Sequence, residues 1–368
     1  ISVKTGNNAR NGGKNSLNRL IRCVCGKKIG PDPRNFNQRV SLGRNDLLIR
    51  TFLRNDYPYA QCFIKYAYLA VQLFFIISGF VIFMSVDNKK GPFVFLTSRF
   101  IRLYPAYIIS VFLTFAFVYL IPISYPFDFN DFFGNLTMIP SLLGSKPANP
   151  AYWSLAIEIF FYLYVFILLF FVSNIKKLYV FMLLWLLISI LNIFCSIQFL
   201  EKLFLLKYCS LFVGGAGLYM HARFKNIFYL YAALLSLPVS IYYAIEHSIK
   251  LSNILPYFYF SSYTVSFIVS IFYAWVCFSS RIYNLKWIDS NVISLLAGSS
   301  YVLYVIHETI GRELIQEYYE RFEHFPILIA ILAVILSLII HAYLEKPLSL
   351  YLKKIKKTNI ISAVMSKK

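Results

Sequence analysis

The chain has 368 residues, of which 59% are hydrophobic and only 14% charged, and its mean hydropathy is +0.63. A water-soluble domain carries about a quarter of charged residues, so a soluble fold is excluded, and the strand alternation of an outer-membrane barrel is absent. Several apolar runs reach the roughly 20 residues that cross a bilayer core, so the composition implies an all-α, polytopic membrane helix bundle.

The net charge is +20. In such a protein, lysines and arginines gather on the cytoplasmic face, and no nucleic-acid partner is expected. Of the six cysteines, Cys195, Cys209 and Cys277 lie in apolar runs, where a free thiol packs as a small hydrophobe. Cys23-Val24-Cys25 is a lone C-x-C without a second pair at zinc-site spacing, so no metal is expected.

Taken in order, residues 1–66 are polar and basic, with no helical or strand period. They hold 13 lysines and arginines against Asp32, Asp46 and Asp56. Either they form a basic arm for anionic surfaces or they are not native sequence. Nine membrane spans follow, at about 67–86, 103–121, 153–172, 178–199, 203–220, 227–244, 258–279, 292–309 and 325–344. The first carries a small-residue notch, Ser78-Gly79. The second opens with Arg99 and Arg102, with Pro105 near its first turn. The long connection 122–152 contains DFNDFFGNLTMIPSLLG, an amphipathic stretch expected to lie on the outer membrane surface. Gly214-Gly215-Ala216-Gly217 falls inside a span and reads as close helix packing. The domain plan is a basic segment (1–66), a membrane domain (67–350) and a basic cytoplasmic tail (351–368).

Alternate connections differ in charge. One side carries 17 lysines and arginines and the other six, so the first side is predicted to be cytoplasmic. This places Arg99, Arg102 and the C-terminus inside. It also puts the basic segment 1–66 outside, against the rule that the rest obeys. One further helix before Ala67 would restore the pattern and make ten.

Polar groups within spans are costly and invite functional readings, against the plain alternative of helix–helix hydrogen bonds. Arg99 and Arg102, three apart, share a helix face. Paired guanidinium groups suit phosphate or pyrophosphate, and the competing reading is ordinary snorkelling. Glu158 lies in WSLAIEIFFY behind Trp153, with Ser154 and Tyr162 at i−4 and i+4. It reads as a proton carrier, a general base or a buried acid. Ser300, Tyr304 and His307 follow helical spacing, with Tyr301 beside them. His307 is a base or an interfacial histidine. The remaining histidines sit at span ends or in loops.

LFFIISGFVI, the R-x-x-R of SRFIRLYP, YWSLAIEIFFYLYVF, SYVLYVIHETI and the closing EKP occur in that order. Together they resemble the integral-membrane acyltransferase 3 family, which includes O-antigen and exopolysaccharide O-acetylases, over residues 66–350. The resemblance implies a ten-helix bundle that moves an acyl group, usually acetyl from acetyl-CoA, onto a hydroxyl of a lipid-linked or surface glycan such as lipopolysaccharide. It implies that Arg99 and Arg102 bind the donor, and that Glu158 and His307 suit an acceptor delivered from outside. The partners so implied are membrane lipid, acyl-CoA and a carbohydrate acceptor.

The family's first helix carries a catalytic histidine, but this chain has no histidine before His221. Residues 1 to about 60 are therefore read as out-of-frame sequence in place of that helix, and the chain is expected to lack activity in this form. Two other readings stay open: a transporter or flippase of lipid-linked glycans, and a non-catalytic membrane protein whose basic arm binds anionic lipid or nucleic acid.

Overall fold

The computed structural model describes residues 65–87, 91–120, 127–254, 259–282, 291–318 and 325–365. The basic segment 1–66, but for its last two residues, and any helix within it lie outside the described residues. Every regular element described is helical, as a chain in lipid requires, because only internal hydrogen bonding can satisfy its backbone there.

The long helices are α1 (Ala70–Asp87), α2 (Pro92–Leu120), α4 (Tyr152–Phe171), α5 (Ile175–Cys195), α7 (Leu206–Phe224), α8 (Ile227–Ile254), α9 (Ser262–Ile282), α10 (Asn291–Tyr318) and α11 (Phe325–Ile340). Two short helices, α3 (Phe129–Asn135) and α6 (Gln198–Leu203), lie in connections. A π-helical turn, His341–Glu345, leads from α11 into α12 (Lys346–Met365). All nine predicted spans thus correspond to long helices. Seven of them are apolar enough on their own to cross a membrane. The other two fall outside that set: α7 is mostly buried by protein, and α10 carries Glu308, Arg312, Glu313 and Glu317.

α7 is the centre of the bundle. Thirteen of its 19 residues are buried, and its glycines allow its neighbours to approach. A Cβ at Gly215 would fall 1.9 Å from the Ile76 carbonyl oxygen of α1, and one at Gly79 of α1 would fall 2.2 Å from the Phe212 oxygen of α7. The two backbones therefore touch, as small residues allow in membrane helix pairs. On other faces, a Cβ at Gly217 would meet the Tyr179 hydroxyl of α5, and one at Gly214 the Tyr273 hydroxyl of α9, each at 2.4 Å. Tyr273 Oη also lies 3.0 Å from Ser236 Oγ and 2.9 Å from Ser240 Oγ, both of α8.

α2 differs from the sequence expectation. It starts at Pro92, a residue well suited to a first helical turn, so Arg99 and Arg102 lie two to three turns inside it and Pro105 is in its interior. The charged KK-G-P-F-V-F-L-T-S-R-F-I-R segment lowers local hydropathy and hides this part of the helix. A helix-interior proline cannot donate to the carbonyl four residues earlier, here Ile101. That oxygen instead accepts from Ser349 Oγ of α12 at 3.3 Å.

The described part of the 122–152 connection, from residue 127 on, folds into a cap against α2. Asp128 and Asp131 form a reciprocal capping box on α3. Asn135 Nδ2 donates to the carbonyls of Asp131 and Lys146, both at 2.7 Å, while its Oδ1 accepts from Ala148 N at 2.8 Å. Tyr107 of α2 donates to the Asn135 carbonyl at 2.6 Å. Asn149 donates to Val305 O, and Thr309 to Ala148 O, at 2.9 Å each. The polar side of the cap thus faces the protein, while Phe129, Phe133, Leu142 and Leu143 are exposed.

Gly215→Ala should destabilise the protein by roughly 3 kcal/mol or more, at the upper end of overpacking costs, because the obstructing atom is backbone. Gly311→Ala, whose nearest neighbour would be an ordinary 3.5 Å contact, should stay within about 0.5 kcal/mol. Melting temperatures in one detergent would compare the two.

Candidate functional site

The close approach at Gly79 presses the neighbouring residue of α1, Ser78, against α4. Ser78 Oγ donates to Glu158 Oε1 at 2.7 Å, and the Tyr162 hydroxyl donates to the same oxygen. Glu158 is 3% exposed, and its other oxygen, Oε2, is buried with no hydrogen-bond partner. Both Arg99 and Arg102 of α2 lie within Coulombic range of Glu158. Arg99 is half-buried and its Nε is likewise buried without a partner, whereas Arg102 is exposed. A buried carboxylate with two guanidinium groups nearby has the opposite charge that its burial demands. Two polar atoms of this centre nevertheless keep open hydrogen-bonding positions, which is uncommon in protein interiors.

Tyr301 of α10 closes the same centre. It is buried, its hydroxyl donates to the Leu103 carbonyl at 3.3 Å, and it lies within Coulombic range of Glu158, Arg102, Tyr107 and Tyr152. Ser110 Oγ and Tyr152 Oη are 2.5 Å apart. A line of buried hydroxyl groups thus runs from Glu158 toward the cap. Tyr107, Ser110 and Tyr152 were not singled out from the sequence. The spacing of Tyr107 and Ser110, three apart in an otherwise apolar run, is the signal that marks them.

The predicted stripe Ser154–Glu158–Tyr162 is only partly realised. Tyr162 reaches Glu158, but Ser154 Oγ pairs instead with Tyr304 Oη at 2.5 Å. Tyr304 also donates to the Ala151 carbonyl at 3.1 Å, tying α10 to the start of α4. Trp153 does not join the centre; it packs edge-on to Phe75 and tilted against Tyr208.

His307 stands apart from Glu158, and among the described residues no contact joins them. Its Nδ1 lies 3.0 Å from the carbonyls of both Leu303 and Tyr304. A carbonyl only accepts, so Nδ1 carries a proton, and in the neutral ring Nε2 keeps its lone pair. The ring lines a groove of about 340 Å³ between α10 and α11, together with Ser300, Tyr304, Gly311, Ala330 and Ala333. The predicted face Ser300–Tyr304–His307 is thus a real surface. The other described histidines are committed elsewhere: His221 to the Asn226 carbonyl, His247 against the Tyr68 ring and His341 to Glu345.

The profile of the acyltransferase 3 family, described as an acyltransferase domain, matches residues 52–345. The chain belongs to this family. It is a multi-pass membrane acyltransferase. No curated protein and no solved structure matches it.

Within this acyltransferase, Tyr162→Phe should cost about 1–3 kcal/mol, because it leaves a buried carboxylate short of a donor. Ser78→Ala should cost a similar amount. Both donors serve one oxygen, so the double variant should depart from additivity. A thermal-denaturation cycle over the four proteins would measure the coupling.

Proposed function

We propose that the protein transfers an acyl group, acetyl foremost, from acyl-CoA to a hydroxyl of a cell-surface or lipid-linked carbohydrate, with the arginine end of the bundle facing the cytoplasm of a bacterial cell. The observation that carries this reading is the pair of open polar positions, Arg99 Nε and Glu158 Oε2, both buried, with the exposed Arg102 within Coulombic range of Glu158. Guanidinium groups bind phosphate oxygens in charge-assisted, often bidentate pairs, and acyl-CoA is a phosphate-rich donor. Glu158 supplies the counter-charge that keeps this arginine pair in place while no anion is bound. It is a positioning residue in this scheme.

The donor's long arm separates its phosphates from its thioester. Tyr301 marks the level of the arginine centre, and His307 lies six residues farther along α10, about 9 Å at 1.5 Å per residue. In the proposed step, the acceptor hydroxyl gives its proton to His307 Nε2 and its oxygen attacks the thioester carbonyl. The new C–O bond forms as the C–S bond breaks, and the proton passes from the imidazolium to the departing thiolate. This is general base catalysis of acyl transfer.

The family resemblance places a catalytic histidine before Ala67, where this sequence has none, so His307 is the candidate that remains among the described residues. Donor binding without turnover would show that it does not fill that role.

Two variants test the division of labour. Arg99→Ala should weaken acyl-CoA binding by about tenfold or more, the loss expected of a charge-assisted hydrogen bond. His307→Gln should leave donor binding within about twofold and lower acyl transfer by about a hundredfold or more, the usual contribution of a positioned base. Calorimetric titration and transfer of a radiolabelled acetyl group would read the two effects. Unchanged donor binding in Arg99→Ala would sink the donor assignment.

A further inference from the structure

The basic C-terminal helix α12 bears charges that the arginine centre does not account for. The helical run 325–365 is unbroken. At 1.5 Å per residue it is about 60 Å long, twice the roughly 30 Å of a bilayer core, so α12 leaves the core. Its exposed residues are mixed: Leu348, Leu350 and Tyr351 beside Lys346, Lys353 and Lys354. This composition suits a membrane interface.

The bond from Ser349 to the Ile101 carbonyl fixes which face of α12 meets the bundle. Ile101 lies between Arg99 and Arg102. Lys346 and Lys353 are three residues before and four after Ser349, on the same helix face, and both are exposed. Among the described residues, the carboxylates on neighbouring elements have hydrogen-bond partners, and Glu158 keeps one oxygen, Oε2, open. Glu345 is held by His341, Asp87 of α1 by Arg223 and Tyr219, and Glu158 by Ser78 and Tyr162. No acidic residue follows Glu345 in the chain. Cations from two helices therefore flank the Ser349–Ile101 contact; Arg102 has Glu158 within Coulombic range, and among the described residues no ion pair holds Lys346 or Lys353.

We propose that Lys346 and Lys353 of α12, with Arg102 of α2, form a phosphate-binding site. Two ligands present the required chemistry: the nucleotide end of acyl-CoA, and the headgroup of an anionic phospholipid, to which basic segments beside a span are drawn. The donor arm of this proposal rests on the function proposed above, and the lipid arm does not.

The test uses the full chain in nanodiscs and the double variant Lys346→Gln/Lys353→Gln. CoA and dephospho-CoA, which lacks the 3′-phosphate, are titrated in zwitterionic discs. Retention of phosphatidylglycerol is read by native mass spectrometry. A tenfold or greater loss of CoA affinity in the variant, with dephospho-CoA little affected, assigns the site to the donor's 3′-phosphate. Unchanged CoA affinity with lost phosphatidylglycerol assigns it to lipid. If both ligands are retained, the proposal is overturned. The Lys346→Arg/Lys353→Arg variant should restore whichever ligand was lost; if it does not, packing and not charge is responsible, and the proposal again falls. Arg99→Ala separates the two readings, since normal CoA binding there would remove the donor function while leaving a lipid site intact.

Discussion

The architecture depends on the contact between the α1 and α7 backbones. Gly79 and Gly215 bring main-chain atoms into van der Waals contact, and no larger side chain fits at either position. In lipid there is little hydrophobic gain from bringing two apolar helices together, so close packing and hydrogen bonds must do it. Because Ser78 adjoins Gly79, the same approach sets its hydroxyl on Glu158. Packing and site geometry are therefore one constraint: widening the helix pair would also withdraw a donor from the buried carboxylate.

The polar centre follows from that constraint. Glu158 and Arg99 would each be costly alone in a membrane interior. Held on three neighbouring helices, they form a group in which hydroxyls of Ser78 and Tyr162 fill one carboxylate oxygen and arginines supply the balancing charge. The proline in α2 adds a second consequence. By freeing the Ile101 carbonyl, it gives α12 a point of attachment on the arginine-bearing turn.

Much of the bundle was legible in the sequence, because lipid forces apolar, helical, membrane-length runs and because glycine clusters such as 214–217 announce close packing. The face Ser300–Tyr304–His307 was legible for the same reason: neighbours on one helix are set by its period. The meeting of Arg99 and Arg102 with Glu158 was not. They sit on different helices, and periodicity says nothing about which faces of separate helices converge. The internal fold of the cap was not legible, because it is decided by amides. Asn135 and Asn149 bond backbone carbonyls and amides, and such pairing leaves no pattern along the chain. The start of α2 was missed because two arginines lower its hydropathy, although the helix carries them two to three turns from its first residue.

The double hydrogen bonding of Tyr304 has a mechanical side. By joining α10 to Ser154 and Ala151, it makes one wall of the His307 groove rigid with α4. The opposite wall, α11, meets α10 through Ile329, Ala330, Ala333 and Val334 and turns Ile327, Leu328, Ile331 and Leu332 outward. The groove thus joins one wall tied by hydrogen bonds to another built from aliphatic side chains.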